Sequence, residues 1–291
     1  MVPAVAGPTQ HVWPMSPSKP NPLATLTGTL VLAGAGKMGG AMLTGWLAQG
    51  LDPKRVVVID PFVSDDIAAL ASDGVRINPA ATAIGDVATL VLAVKPQMFR
   101  EAGAALKAFV RPATLVVSIM AGTPLAAIAE VCGGTPIRAM PNTPAAIGRG
   151  ITVAVPGRGV DAAQRATADA LLAATGAVEW VDDEALMDAV TAVSGSGPAY
   201  VFLLAEELAR AGVAAGLPPD LAARLARETV SGSGELLHRS DLDAATLRKN
   251  VTSPGGTTAA ALGVLMADDG LQPLLRRAVA AATARSKELA K

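Results

Sequence analysis

The chain has 291 residues, a formal net charge of −1, and is 51% hydrophobic but only 3% aromatic. Near-neutrality without a long basic run argues against a nucleic-acid surface. One cysteine, Cys132, and two isolated histidines, His11 and His238, leave no internal disulfide, no Cys/His metal cluster and no start for a Ser-His-Asp arrangement.

In chain order, residues 1–22 carry Pro at 3, 8, 14, 17, 20 and 22 and lack an apolar core of signal-peptide type. Residues 1–26 read as a disordered Pro-rich extension, and a cytoplasmic protein is expected. From Leu30 the pattern becomes regular. Residues 30–33 are a short apolar run, glycines follow, and a helix is predicted over about 38–49, ended by Gly50. Val56-Val57-Val58-Ile59 is a buried strand, and Ser64 before Asp65 and Asp66 is a helix start. Further strands at 75–77, 89–94, 115–119 and 136–140 are separated mostly by helix-like segments, which indicates βαβ units and a parallel sheet. Runs at 151–155 and 177–181 extend that sheet around a helix over 161–174. The longest uncharged run, 112–129, is near membrane length, but Gly122, Thr123 and Pro124 break it, so no membrane span is expected. After about residue 182 the strand signals stop. Residues 184–193, 198–215, 220–237 and 271–290 read as helices, with shorter ones at 241–249 and 256–266. Only 17% of the residues are charged, against roughly 25% in typical domains, which points to surface hidden between subunits.

Gly34-Ala35-Gly36-Lys37-Met38-Gly39 follows a strand and opens a helix, the context that a dinucleotide fingerprint requires. Its first glycine permits the tight turn, the second lets a pyrophosphate approach, and the third lets helix and strand pack closely. Asp60 stands 21 residues after Gly39. An acid there can accept hydrogen bonds from ribose hydroxyls, which favours NAD; its alternative is a turn residue before Pro61. Lys37 and Arg55, nearby in sequence, are candidates to offset its charge. A P-loop reading fails because Met38 follows Lys37 and position 31 is Val. Ala93-Val94-Lys95-Pro96-Gln97 lies at the C-terminal end of a strand, where ligands bind open α/β sheets. Lys95 either covers the adenosine phosphates or caps the edge in solvent. Asn142, in Met140-Pro141-Asn142-Thr143-Pro144, either reaches the nicotinamide or makes an Asx bond in a proline-stiffened turn. The fold class is therefore α/β: a Rossmann NAD(P)-binding domain over 27–182, then an all-α domain over 183–291, to which the resemblance named below adds substrate binding and dimerisation.

Near the C-terminus, Asn250-Val251-Thr252-Ser253-Pro254-Gly255-Gly256-Thr257-Thr258 packs two glycines, a proline and four hydroxyls into nine residues. Such a loop offers free N–H groups and small donors, which suits a small carboxylate. Its plainer reading is a cap, with Ser253-Pro254 and Thr257 starting the next helix. The two readings are compatible, since a helix N-terminus is itself an anion site. Ser194-Gly195-Ser196-Gly197-Pro198 lacks the strand and histidine of a nucleophile elbow and reads as a flexible joint between domains.

Taken together with Arg138-Ala139 and Ala199-Tyr200, these motifs resemble the pyrroline-5-carboxylate reductases, in family order and spacing over about residues 28–289. The resemblance implies reduction of L-1-pyrroline-5-carboxylate to L-proline, the last step of proline synthesis, with NADPH or NADH. It implies cofactor contacts from Gly34, Gly36, Lys37, Met38, Gly39, Asp60, Ala93, Val94, Lys95, Pro96, Asn142 and Asn250. It further implies that Ser253 and the N–H groups around Gly256, Thr257 and Thr258 hold the substrate carboxylate, with the Thr258 hydroxyl at the ring nitrogen. No metal is implied. The C-terminal helices would form a homodimer, and in the family such dimers often assemble into decamers. Two other readings compete. A β-hydroxyacid dehydrogenase-like enzyme typically carries a helix lysine as acid/base, and residues 184–215 contain none. A non-catalytic dinucleotide sensor would leave the C-terminal loop without a role.

Overall fold

The computed structural model describes residues 22–289. The expected Pro-rich extension, residues 1–26, lies outside the described residues up to 21. From Pro22 the chain is already packed: Pro22–Thr25 forms a 3₁₀ turn that buries Leu23 in the core beneath a later helix.

Eight strands form one sheet in the order β3-β2-β1-β4-β5-β6-β7-β8. They are β1 (Thr29–Ala33), β2 (Val56–Ile59), β3 (Arg76–Ile77), β4 (Val87–Leu92), β5 (Leu115–Ser118), β6 (Thr135–Met140), β7 (Gly150–Pro156) and β8 (Gly176–Trp180). The first five helices are α1 (Lys37–Ala48), α2 (Asp65–Ala69), α3 (Phe99–Leu106), α4 (Leu125–Cys132) and α5 (Ala162–Ala173). The strands are apolar on both sides because both faces of the sheet are covered. Alternate residues feed two cores. Leu30, Leu32, Val56, Val58 and Val117 pack with Met42, Leu43 and Trp46 of α1 and Leu171 of α5. Val31, Ala33, Val57, Leu90 and Val116 pack with Phe99 and Leu106 of α3 and Ile128 of α4. The Trp46 indole N–H donates to the Leu171 carbonyl at 2.8 Å and ties α1 to α5.

Two strands depart from the parallel expectation, β7 and, parallel to it, β8. β7 pairs antiparallel with β6, Ile137 opposite Pro156 and Met140 opposite Val153. The connection, residues 141–149, holds one 3₁₀ turn, Thr143–Ile147. That is too short for a crossover, so the chain must double back.

The order of strands reverses between β1 and β4, whose neighbours lie on opposite sides. In doubly wound sheets this switch point opens a crevice at the carboxyl ends of the strands.

Beyond β8 come α6 (Met187–Val190), α7 (Gly197–Ala214), α8 (Pro219–Arg239), α9 (Ala244–Asn250), α10 (Thr257–Leu265) and α11 (Leu271–Leu289). The flexible joint expected at Ser194-Gly195-Ser196-Gly197-Pro198 is instead helical. A π turn, Thr191–Gly195, continues α6 and a bend of one residue, Ser196, leads into α7, the Ser196 N–H reaching back five residues to the Thr191 carbonyl at 2.8 Å. The Thr191 and Ser194 hydroxyls donate to the carbonyls of Met187 and Val190, and the Tyr200 hydroxyl to that of Ala192. These bonds offset the poor helix propensity of Ser and Gly.

Two groups fasten this arm to the sheet. Met187 is fully buried against Val153 and Val155 of β7. Glu184 Oε1 accepts from Arg138 Nη1 at 2.9 Å and from the Leu125 N–H, at the start of α4, at 2.8 Å. At the far end, the buried Ser286 hydroxyl of α11 donates to Asp188 Oδ1 at 2.7 Å.

Candidate active site

The glycine loop sits at the switch point. Gly34 has φ +91°, and a Cβ there would lie 2.6 Å from the Ala93 carbonyl oxygen. A side chain on Gly39 would run into the Gly34 carbonyl, whereas one on Gly36 would meet nothing within 4 Å. The outer glycines are thus required by the fold, and the middle one faces open space. Gly36 is also the N-cap of α1 and offers no side-chain cap. The first N–H groups of that helix lack intrahelical partners and favour an anion. This cradle fits a dinucleotide pyrophosphate.

Asp60, one residue past β2, is clamped onto this loop. Its Oδ2 accepts from the Ala35 N–H at 2.7 Å and its Oδ1 from the Phe62 N–H at 2.8 Å. Asn78 brackets its backbone, accepting from the Asp60 N–H at 3.0 Å and donating to the Asp60 carbonyl at 2.8 Å. Arg55 cannot offset this charge, because it lies at the amino end of β2. Four residues of strand put it about 13 Å away or more.

Ala93 and Val94 continue from β4 over the loop, the Ala93 N–H donating to the Ala33 carbonyl at 2.8 Å. Lys95 and Pro96 are exposed at the start of a 3₁₀ turn. Lys37 and Lys95 have no ionic partner among the described residues. Asn142 stands at the end of β6, and the turn that follows it packs against α1. Its Oδ1 accepts from the Ile151 N–H at 2.9 Å, so the asparagine secures the antiparallel return. Gly34, Gly36, Lys37, Met38, Gly39, Asp60, Ala93, Val94, Lys95, Pro96 and Asn142 thus share the carboxyl edge of the sheet.

The C-terminal loop lies apart from them. Among the described residues no hydrogen bond or ion pair joins residues 250–258 to the sheet. Asn250 ends α9 and is exposed. Gly255 turns with φ +70°, and Gly256 is the N-cap of α10 with no side-chain cap. Ser253 therefore does not cap the helix; instead its hydroxyl sits where a Cβ on Gly256 would lie 2.5 Å away. Ser253, Thr257 and Thr258 make no side-chain hydrogen bond among the described residues, whereas Thr252 turns inward to the Arg248 carbonyl at 2.6 Å. Three hydroxyls and an open helix N-terminus are gathered with nothing of this chain to hold.

Sequence reasoning missed the Arg138–Glu184 pair, in which an arginine 5% exposed is neutralised by the first helical residue of the arm. A charge inside an otherwise apolar strand was the available signal, since buried arginines require a partner. It also missed the contact of Arg149 with Glu235 of α8 at 3.1 Å. Cys132 is no nucleophile: burial pushes its thiol up to about 11. No group of His, Cys, Asp and Glu among the described residues could hold a metal, and no helix there is long and apolar enough to cross a membrane.

A doubly wound sheet with a glycine cradle at its switch point, followed by a helical arm, defines a dinucleotide-dependent oxidoreductase. Residues 184–289 match the family model described as pyrroline-5-carboxylate reductase dimerisation, and residues 29–122 match one described as NADP oxidoreductase, coenzyme F420-dependent. The Pseudomonas aeruginosa pyrroline-5-carboxylate reductase is 41% identical over 91% of this chain and 97% of its own. The Synechocystis enzyme of the same name is 42% identical over 90% and 98%. The solved structure of a pyrroline-5-carboxylate reductase from Coxiella burnetii superposes with a TM-score of 0.83 at 33% identity, covering 91% of this chain and 100% of that one. The chain belongs to the pyrroline-5-carboxylate reductase family.

Proposed function

We infer that this chain reduces L-1-pyrroline-5-carboxylate to L-proline at the expense of NADPH or NADH, the closing step of proline synthesis. The observation that carries the reading is the set of unspent hydroxyls of Ser253, Thr257 and Thr258 at the open N-terminus of α10, an anion grip with no partner among the described residues. It is supported by relatives of that name at 41% and 42% identity, and a Plasmodium falciparum pyrroline carboxylate reductase structure contains NADP.

In this reading Gly34, Gly36, Lys37, Met38 and Gly39 receive the pyrophosphate, Asp60 the adenosine ribose, and Ala93, Val94, Lys95 and Pro96 the adjoining edge. Asn142 and Asn250 approach the nicotinamide half. A bound reduced nicotinamide supplies the hydride. Ser253 and the N–H groups of Thr257 and Thr258 hold the substrate carboxylate and present one face of the ring; the Gly256 N–H expected to join them donates instead to the Ser253 carbonyl at 3.1 Å, so Gly256 serves by leaving room. The hydride adds to the C=N carbon and the ring nitrogen takes up one proton, so the imine becomes an amine while the Thr258 hydroxyl hydrogen-bonds that nitrogen. Fixing both ends of so small a substrate supplies much of the rate.

The division at 182/183 into a nucleotide domain and a substrate-binding arm belongs to the same proposal. So does a homodimer in which one protomer's arm carries its loop to the other's sheet edge, and assembly of dimers into a decamer. Support comes from the dimerisation match over 184–289 and the uncovered apolar surface of that arm. Cytoplasmic residence accords with a single free thiol. The test is the fall in 340 nm absorbance of NADH and of NADPH with pyrroline-5-carboxylate added. Oxidation with proline formed is expected; no oxidation of either cofactor overturns the reading.

A further inference from the structure

We propose that the β2–α2 turn selects the unphosphorylated ribose, so that this chain binds NADH in preference to NADPH. The inference rests on the dinucleotide reading above and adds a direction to it.

Its basis is the fixed carboxylate of Asp60. A flexible acid at this place can swing aside to admit a 2′-phosphate. Asp60 cannot do so cheaply. Both its oxygens are engaged by backbone amides, of Ala35 within the glycine loop and of Phe62 beyond the turn. Its backbone is gripped at both N–H and carbonyl by one side chain, that of Asn78. Asn78 adopts φ +45°, the only positive φ outside glycine among the described residues. An L-residue held in the left-handed region costs free energy that the double hydrogen bond to residue 60 offsets. Each carboxylate oxygen retains a lone pair to accept from a ribose hydroxyl. A dianionic phosphate in that place would meet a like charge that has no room to retreat.

The surrounding charges point the same way. Residues 56–75 contain Asp60, Asp65, Asp66 and Asp73 and no Lys or Arg. Arg76 is turned to the carbonyls of Ala83 and Ile84. Lys54 and Arg55 belong to the 3₁₀ turn before β2, at the opposite end of the strand. Lys95 follows β4, which lies across β1 from β2. Lys37, directly after Gly36, flanks the pyrophosphate cradle. The arginine or lysine that a 2′-phosphate needs on the β2 side is missing.

The test is equilibrium titration of the full chain with NADH and NADPH, followed by nucleotide fluorescence, without substrate. NADH should bind at least about tenfold more tightly, and the ratio should narrow as salt is raised, because repulsion between charges is screened. Asp60→Asn should tighten NADPH and bring the ratio within about threefold. Asp73→Asn, the same charge change on the same segment, should leave the ratio alone. Since Asp60→Asn also loosens the loop, ADP-ribose and its 2′-phosphate are compared on the unmodified chain, which needs no variant. NADPH bound as tightly as NADH, or a ratio unmoved in Asp60→Asn, overturns the inference and leaves the proposed reaction standing. Binding of neither nucleotide overturns both.

Discussion

The sheet and the arm solve burial in opposite ways. Through β8 the chain closes on itself, and Trp46, Leu30, Leu90, Ile128 and Leu171 are almost wholly inaccessible. From Thr191 onward the buried apolar residues among those described are three alanines, Ala192, Ala222 and Ala226. Of 24 exposed large hydrophobic side chains among the described residues, 20 lie at or beyond Val193. Phe202 is 68% exposed, Val264 73% and Met266 59%. A groove of about 1530 Å³ between α10 and α11 is lined by Leu262, Leu265, Leu275 and Val279. The sheet is finished by its own sequence, whereas the arm leaves most of its large apolar side chains uncovered, and in the proposed homodimer it is half of a core. Apolar patches of this extent mark interfaces.

The strongest way to break this contrast is to charge the arm. Phe202→Asp with Leu204→Asp should leave the sheet folded, halve the sedimenting mass or more, and lower activity by at least about a hundredfold, since in the proposed homodimer the site is completed in trans and would lose its positioning. Sedimentation velocity and turnover check it together; an intact oligomer with full activity would show that α7 lies off the interface.

A sharper cut goes through the loop that the arm carries. Thr258→Ala should reduce kcat by about thirty- to a hundredfold while the dissociation constants of NADH and NADPH stay within about twofold. Stopped-flow and binding titration separate the two, and an unchanged kcat removes Thr258 from the mechanism.

Within the sheet, the two glycines that flank the start of α1 should part company. Gly36→Val, pointing into open space, should leave thermal stability nearly unaltered and weaken nucleotide binding by about tenfold or more. Gly39→Val, driven into the Gly34 carbonyl, should lower Tm by about 5 °C or more. Calorimetry with and without nucleotide distinguishes them. Equal losses of Tm would mean that Gly36 is structural as well.

The smallest effect concerns α9, just before the loop. The Thr246 N–H, and next its hydroxyl, hold the Asp243 carboxyl below its ordinary value. A depressed carboxylate contributes stability above its unfolded pKa and loses it as pH falls through the folded value. Amide exchange in α9 should therefore be faster in Asp243→Ala than in the wild type at neutral pH, and the two should converge once acid protonates the cap.

How much of this was legible follows the same division. The sheet could be read because its strands are unbroken apolar runs and its glycines have a local reason to be there. Yet β4 was expected at 89–94 and runs Val87–Leu92, since Ala93, whose N–H makes the last bond to β1, turns its carbonyl over Gly34. The direction of β7 was not legible, because strand patterns carry no polarity; the short turn after Asn142 decides it. The arm was legible as helices, but the π turn and single bend that join α6 to α7 were not. Ser and Gly are weak helix formers, and the bonds that rescue them run to carbonyls four residues back. The double clamp on Asp60 was invisible because Asn78 lies 18 residues away. The hydroxyls at 253–258 were legible as a cluster, but only the coordinates distinguish the three left free from the one that Arg248 consumes.

The π turn at Thr191–Gly195 also acts as an angular gauge. Each residue of an α-helix advances it by about 100°, and a π turn holds one residue more than the helix needs. That surplus sets the azimuth of α7, so the exposed Val201, Leu204 and Leu208, which share one face at i, i+3 and i+7, point as they do because of one extra residue near Ser194. Deleting it would swing the whole apolar face by about a quarter turn without altering a single side chain in it. Loss or gain of a residue here is therefore a change of partner geometry, while the same change in the exposed turn at residues 157–160 alters only a connection.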